Sequence, residues 1–170
     1  IAVEPSPYNF KLLKLNTNKK TEILQLALSD ESKKGNLYID NFGGFTNSIN
    51  KENAESRTKF FSEKQKFKIK PLTQVEINIQ TIDSICKINN FIPTFIKIDV
   101  EGAEYEVLKG AINTLPIVKS IMIEIRKNKI KIFNLLESKD FIPINQEFIE
   151  ISYSELKEIR EENTFFFIRK

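Results

Sequence analysis

Three acidic residues stand where apolar runs end. Glu4 follows Ile1-Ala2-Val3, Asp99 follows Phe95-Ile96-Lys97-Ile98, and Glu124 lies near the end of Ser120 to Ile125. A fourth run, Ile23 to Leu28, closes on Ser29-Asp30. If these runs are parallel strands, their carboxyl ends converge on one crest of a sheet, where open α/β sheets bind ligands. A carboxylate there can accept the hydroxyls of a ribose, take a proton from an attacking hydroxyl, or cap a turn. Glu4 suits the ribose, and equally a solvated turn beside Pro5. Ser29 and Asp30 can meet an adenine edge or close a turn. Lys97 precedes Asp99 by two residues, on the same strand face. Two charges in a buried run need each other, another charge or a ligand. Glu101 complements the dipole of a helix that begins after it. It shares a helical face with Glu104, which reads as a solvated surface residue. Gly102 permits a close backbone approach to a ligand, or merely a tight helix entry. Glu124 is a polar intruder in an apolar strand and reads as a substrate-side residue.

What is missing narrows the chemistry. The 170 residues include no histidine. That excludes a Ser-His-Asp triad, a His-activated cysteine and a His-ligated zinc within this chain, and no metal is expected. The single cysteine, Cys86, cannot form an internal disulfide and suits a reducing, cytoplasmic setting. Without a histidine to activate it, Cys86 reads as a packing residue. A net charge of +3 is too mild to argue for nucleic acid or an anionic membrane. The lysine run from Lys64 to Lys70 alternates with Phe67 and Ile69, the pattern of a basic edge strand. No apolar run reaches the ~18 residues of a membrane span, and no signal peptide is visible.

The elements that must position these residues follow from apolar spacing. Ile1 to Val3 reads as a strand, with Ser6 capping a helix from Pro7 to about Leu15. Ile23 to Leu28 reads as one strand, Lys34-Gly35-Asn36 as a turn and Leu37 to Ile39 as a short strand. Residues 40–70 read as a long loop insertion, a lid with one short helix. Val75 to Thr81 alternates like a half-exposed strand, and Asp83 is placed to cap a short helix. Phe95 to Val100 is a buried strand. A helix with Ala103, Val107, Leu108, Ala111 and Leu115 on one face follows and stops before Pro116. Ser120 to Ile125 is a strand, Lys129 to Ser138 an amphipathic helix, and Phe141 to Ile144 and Thr164 to Ile168 an antiparallel pair. The alternation predicts one open α/β sheet with a mixed edge.

The blocks Glu4-Pro5-Ser6-Pro7-Tyr8-Asn9-Phe10, Ala27-Leu28-Ser29-Asp30, Thr81-Ile82-Asp83 and Lys97-Ile98-Asp99-Val100-Glu101-Gly102-Ala103-Glu104 come in a telling order. With Val107-Leu108-Lys109-Gly110-Ala111 and Ile123-Glu124, this set resembles the FkbM family of S-adenosylmethionine-dependent methyltransferases over roughly residues 1–126. The resemblance implies a class I methyltransferase (Rossmann-like) fold: a mostly parallel sheet, helices on both faces, and antiparallel C-terminal strands. It implies one methyltransferase domain over 1–170 using S-adenosyl-L-methionine to methylate a hydroxyl of a sugar, glycan or secondary metabolite. By the same likeness Glu4 binds the cofactor ribose, Ser29 and Asp30 border the adenine, and Asp99 and Glu101 flank the methyl donor and acceptor. Asp99 is the expected base and Lys97 its orienting partner. The family's first strand and glycine-rich loop should precede Glu4. The chain opens on Ile1 and its only methionine is Met122, so it reads as a domain entered at its second strand. The competing readings are a remnant or binding module unable to hold the cofactor, and a nucleotide-binding domain such as a dehydrogenase. The latter does not account for the Asp99–Glu104 block.

Overall fold

A computed structural model describes residues 1–40, 47–65, 70–159 and 163–169. They fall into two compact units, Ile1–Gln80 and Thr81–Lys170.

In the first unit β1 (Ala2–Val3) ends at Glu4, and Ser6 caps α1 (Pro7–Asn16). Pro7 occupies the first turn, where its missing N–H costs nothing. The Thr17 hydroxyl and N–H close the helix on the Leu13 carbonyl at 2.8 and 3.0 Å. The single strand expected over 23–28 is two. β2 (Ile23–Leu24) lies parallel to β1, while β3 (Ala27–Leu28) lies parallel to β5 (Thr73–Gln80) in another sheet. Between them Gln25 and Leu26 carry the chain from one sheet to the other, and Leu26 stays buried, which keeps the apolar run unbroken in sequence.

β4 (Lys33–Ile39) is antiparallel to β5 from Lys33–Ile79 to Ile39–Thr73. The turn expected at Lys34-Gly35-Asn36 therefore lies inside a strand. A Cβ on Gly35 would come within 2.5 Å of Ile79 Cδ1, so the glycine sits under a cross-strand side chain that a larger residue would have to displace, and no bend is involved. Ala27, Leu37, Ile77 and Ile79 form the core of this sheet. Within 40–70, α2 (Lys51–Gln65) is a full helix where a loop with one short helix was expected. Lys64 and Gln65 end that helix instead of starting a basic strand; positions 41–46 and 66–69 lie outside the described residues.

In the second unit the cap of α3 (Ile82–Ile88) is Thr81, whose Oγ1 accepts the Ser84 N–H at 3.0 Å. Asp83 is drawn elsewhere. Its carboxylate accepts the Thr114 N–H and O–H at 2.8 and 2.6 Å and the Asn113 N–H and Nδ2 at 3.1 and 2.9 Å. Four donors from a distant loop outcompete one local cap.

β6 (Phe95–Ile98), β7 (Ser120–Ile125), β8 (Phe141–Ile144) and β9 (Asn163–Arg169) form a sheet of order β6-β7-β9-β8. β6 and β7 are parallel, and β9 enters antiparallel to both β7 and β8, as expected for the terminal pair. α4 (Glu104–Lys109) packs on β7 and α5 (Lys129–Glu137) on β8. The long helix expected after Ala103 stops at Lys109, and a 3₁₀ turn, Leu115–Ile117, takes up Pro116. Its apolar face is nonetheless buried throughout. α6 (Tyr153–Glu158) starts with a reciprocal capping box between Ser152 and Glu155, legible as Ser-x-x-Glu but not anticipated.

The expectation of one mostly parallel sheet needs correction. Among the described residues the strands form three sheets. β1–β2, β3–β5 and β6–β7 are parallel; β4–β5, β7–β9 and β8–β9 are antiparallel. Alternation of strands and helices predicts parallel neighbours only if each helix serves as a crossover. The segment carrying α2 instead returns the chain antiparallel to β4, and that carrying α6 returns it between β7 and β8. The architecture is α/β with mixed sheets. Among the described residues no helix is long and apolar enough to cross a membrane.

Candidate active site

The sequence-predicted residues fall into two sets, one on each unit. On the first unit Glu4 extends the β1–β2 ladder, donating its N–H to the Leu24 carbonyl at 3.1 Å. Its half-buried carboxylate accepts the Ser6 N–H at 2.8 Å through Oε1. Burial raises its pKa above the ordinary value, while the Ser6 amide and the Asn9 side chain pull it back. An anion held at this cost gains from further hydroxyl donors, which is what a ribose diol offers. Ser29 and Asp30 follow β3, in a different sheet from Glu4. The buried Ser29 donates its N–H to the Gln80 carbonyl at 3.0 Å and its Oγ to Asp30 Oδ1 at 3.1 Å. Asp30 itself is exposed.

On the second unit the parallel register Ile98–Ile123 is the last pair between β6 and β7. One step beyond it, Asp99 and Glu124 stand at the carboxyl ends of adjacent strands. Lys97 Nζ and Asp99 Oδ2 meet at 3.3 Å, with 55% and 39% of their side chains exposed. The pair expected in a buried run thus stands in solvent. The strand end is open on this side, since Phe95, Lys97 and Asp99 share the exposed face. β7 explains Glu124 in the same way. Ile121, Ile123 and Ile125 are buried, whereas Ser120, Met122 and Glu124 alternate on a half-exposed face. Glu124 is therefore the last residue of a polar-tolerant face and not an intruder in a core.

Glu101 and Gly102 leave β6 through two successive left-handed residues, φ 59° and 100°. Glycine adopts this freely; Glu101 does so at a cost of order 1–3 kcal/mol that its surroundings must offset. Arg126 is one of the partners of Glu101. Its Nε lies 2.9 Å from Glu101 Oε2, and its Nη2 lies 3.4 Å from Glu101 Oε1 and 2.7 Å from Glu124 Oε1. One guanidinium thus joins two of the predicted site residues. Arg126 was missed in the sequence, yet it sits two residues after Glu124, just past the end of β7, where the period of two continued beyond the strand brings it to the same side.

Glu104 overturns its surface reading. It is 1% exposed, and its Oε1 accepts the Gly102 N–H at 2.7 Å, closing the left-handed loop on itself. Burial raises its pKa. The amides of Gly102, Glu104 and Arg126 and the Arg126 charge act the other way. Cys86 is half-buried on α3.

The arrangement provides one solvent-facing carboxylate with a neighbouring ammonium, backed by two carboxylates braced on an arginine. Such a set can accept a proton from a hydroxyl and orient the group that loses it. No curated protein and no solved structure matches the chain. A family model, the methyltransferase FkbM domain, matches residues 1–165, and with nearly its whole length covered the chain belongs to the FkbM methyltransferase family.

Proposed function

We propose that the chain is one S-adenosyl-L-methionine-dependent methyltransferase domain that methylates a hydroxyl of a sugar, glycan or secondary metabolite in the cytoplasm. The observation that carries this reading is Asp99. It stands at the carboxyl end of a parallel strand, open to solvent and joined to Lys97, in a chain of methyltransferase family. When bound, the cofactor supplies an electrophilic methyl group on a sulfonium. Glu4 accepts its ribose hydroxyls, and Ser29 with Asp30 borders its adenine. Asp99 takes the proton of the acceptor hydroxyl, and Lys97 orients the carboxylate that does so. Glu101 and Glu124 border the acceptor. Much of the rate in such a transfer comes from holding the acceptor oxygen in line, so a rigid strand end is a suitable platform.

Calorimetry with S-adenosylmethionine, on the longest natural form of the chain and on its Glu4→Ala variant, tests the reading. The expected result is saturable binding that Glu4→Ala weakens by about tenfold to a hundredfold, the loss of a charge-assisted hydrogen-bonded contact. Absence of binding to the unaltered protein overturns the enzyme and leaves a binding module.

A further inference from the structure

We propose that Arg126 is a positioning residue of this site, a shared counter-ion that pins the Glu101–Gly102 loop to the end of β7 and so fixes how Asp99 leaves β6. The inference rests on the methyltransferase reading for its catalytic meaning, but its physical content does not. The guanidinium uses two nitrogens on Glu101 and shares one of them with Glu124. Toward Glu101, Nη2 donates a hydrogen bond and the Nε–Oε2 approach is an ion pair. A planar guanidinium can still meet two carboxylates at once, which the point-like ammonium of lysine does less well. Arg126 is 21% exposed, so solvent screens these pairs less than it screens the Lys97–Asp99 pair.

Three features of the loop involve that one cation. Glu101 holds a left-handed backbone that a side chain disfavours. Glu101 and Glu124 are drawn to a single nitrogen, where without the guanidinium their like charges would push them apart. Glu104, buried within the same turn and bonded to the Gly102 N–H, has Arg126 as the nearby charge that favours its ionised form. The residue therefore acts on Asp99 through the loop.

Carboxyl carbon NMR of the full chain, parent against Arg126→Gln and Arg126→Lys, reads the clamp directly. In folded Arg126→Gln, the resonances of both Glu101 and Glu124 are expected to titrate at higher pH than in the parent. The Gly102 amide is expected to exchange faster, while the amides of β7 keep their protection. Arg126→Lys is expected to restore at most one of the two titrations. If neither carboxyl moves in Arg126→Gln, or only one does, the shared counter-ion is refuted. The same holds if lysine restores both. A loss of β7 protection in Arg126→Gln would instead make the residue a general structural one and refute positioning. Failure of the chain to bind S-adenosylmethionine would sink the methyltransferase reading alone, because these titrations need no cofactor.

Discussion

β7 is flanked by β6 and β9, and its inward residues Ile121, Ile123 and Ile125 are shut off from solvent. β1 and β2, by contrast, are two residues each and only half-buried along their length. The same contrast holds for the cores around them. In the second unit Phe133 is enclosed by Phe165, Phe167 and Tyr153, with ring centroids 5.4 to 6.3 Å apart across the group. In the first, the core of Ala27, Leu37, Ile77 and Ile79 is small and is finished by partly buried Ile39, Ile49 and Val75. The difference bears on function. Glu124, proposed to border the acceptor, is anchored on the deep strand β7. Asp99 leaves the neighbouring β6, whose Ile98 is buried while Phe95 and Lys97 are exposed. The carboxylate proposed to meet the ribose stands at the end of a short, half-buried strand. Regions of low burial open more readily, and ligand-binding segments are often drawn from them.

Truncating each core is the strongest way to break that comparison. Phe133→Ala removes a ring from a fully enclosed site and is expected to cost about 3–5 kcal/mol in urea unfolding, among the largest single effects available. Leu37→Ala, at a site 1% exposed but in the smaller core, is expected to cost less, about 2–3 kcal/mol. Native-state hydrogen exchange supplies the second measurement. Leu37→Ala should speed exchange in β4 and β5 and leave β7 and β9 unaffected. Equal costs for the two substitutions, or a common loss of protection in both units, would show that the units do not differ in the way their burial suggests.

Much of this was legible in the sequence, and the exceptions have a common cause. Apolar period and punctuation located most strands, and Ser6-Pro7 marked the start of α1, because those signals are local. Direction and pairing are not local. Ile23 to Leu28 reads as one strand since nothing in its composition says that its halves join different sheets. Gly35 reads as a turn since the Ile79 side chain packed over it lies far along the chain. Asp83 looks like a cap until Asn113 and Thr114 are brought to it. The candidate site divides in the same way. The positions of Glu4, Asp99 and Glu124 at strand ends follow from the pattern. The partnership that unites Glu101 with Glu124 depends on Arg126, which a search for strand-ending carboxylates passes over. Glu104 was misjudged for a related reason: an i, i+3 pairing assumed a regular helix from Glu101, whereas α4 begins only at Glu104, after a left-handed turn.

That buried carboxylate offers the finest test of how deeply the second unit encloses its polar groups. Burial raises the folded-state pKa of Glu104 above its ordinary value of 4.5, against the opposing pull of nearby amides and Arg126. The folded chain therefore binds this proton more tightly than the unfolded chain does. Stability linked to it is full below the unfolded value and is lost as pH rises through the folded one. Glu104→Gln keeps an oxygen for the Gly102 N–H but carries no proton to lose. The variant's stability relative to the parent should therefore rise as pH climbs above the unfolded value of 4.5 and level off once the folded carboxyl has ionised, as read from urea midpoints. The effect is expected to be smaller than either core truncation. If the parent instead gains on the glutamine variant as pH rises, the attraction of Arg126 and the three amides outweighs the cost of burial. In that case Glu104 is a third anion held by the same guanidinium, and the loop beside Asp99 is braced by charge more than by packing.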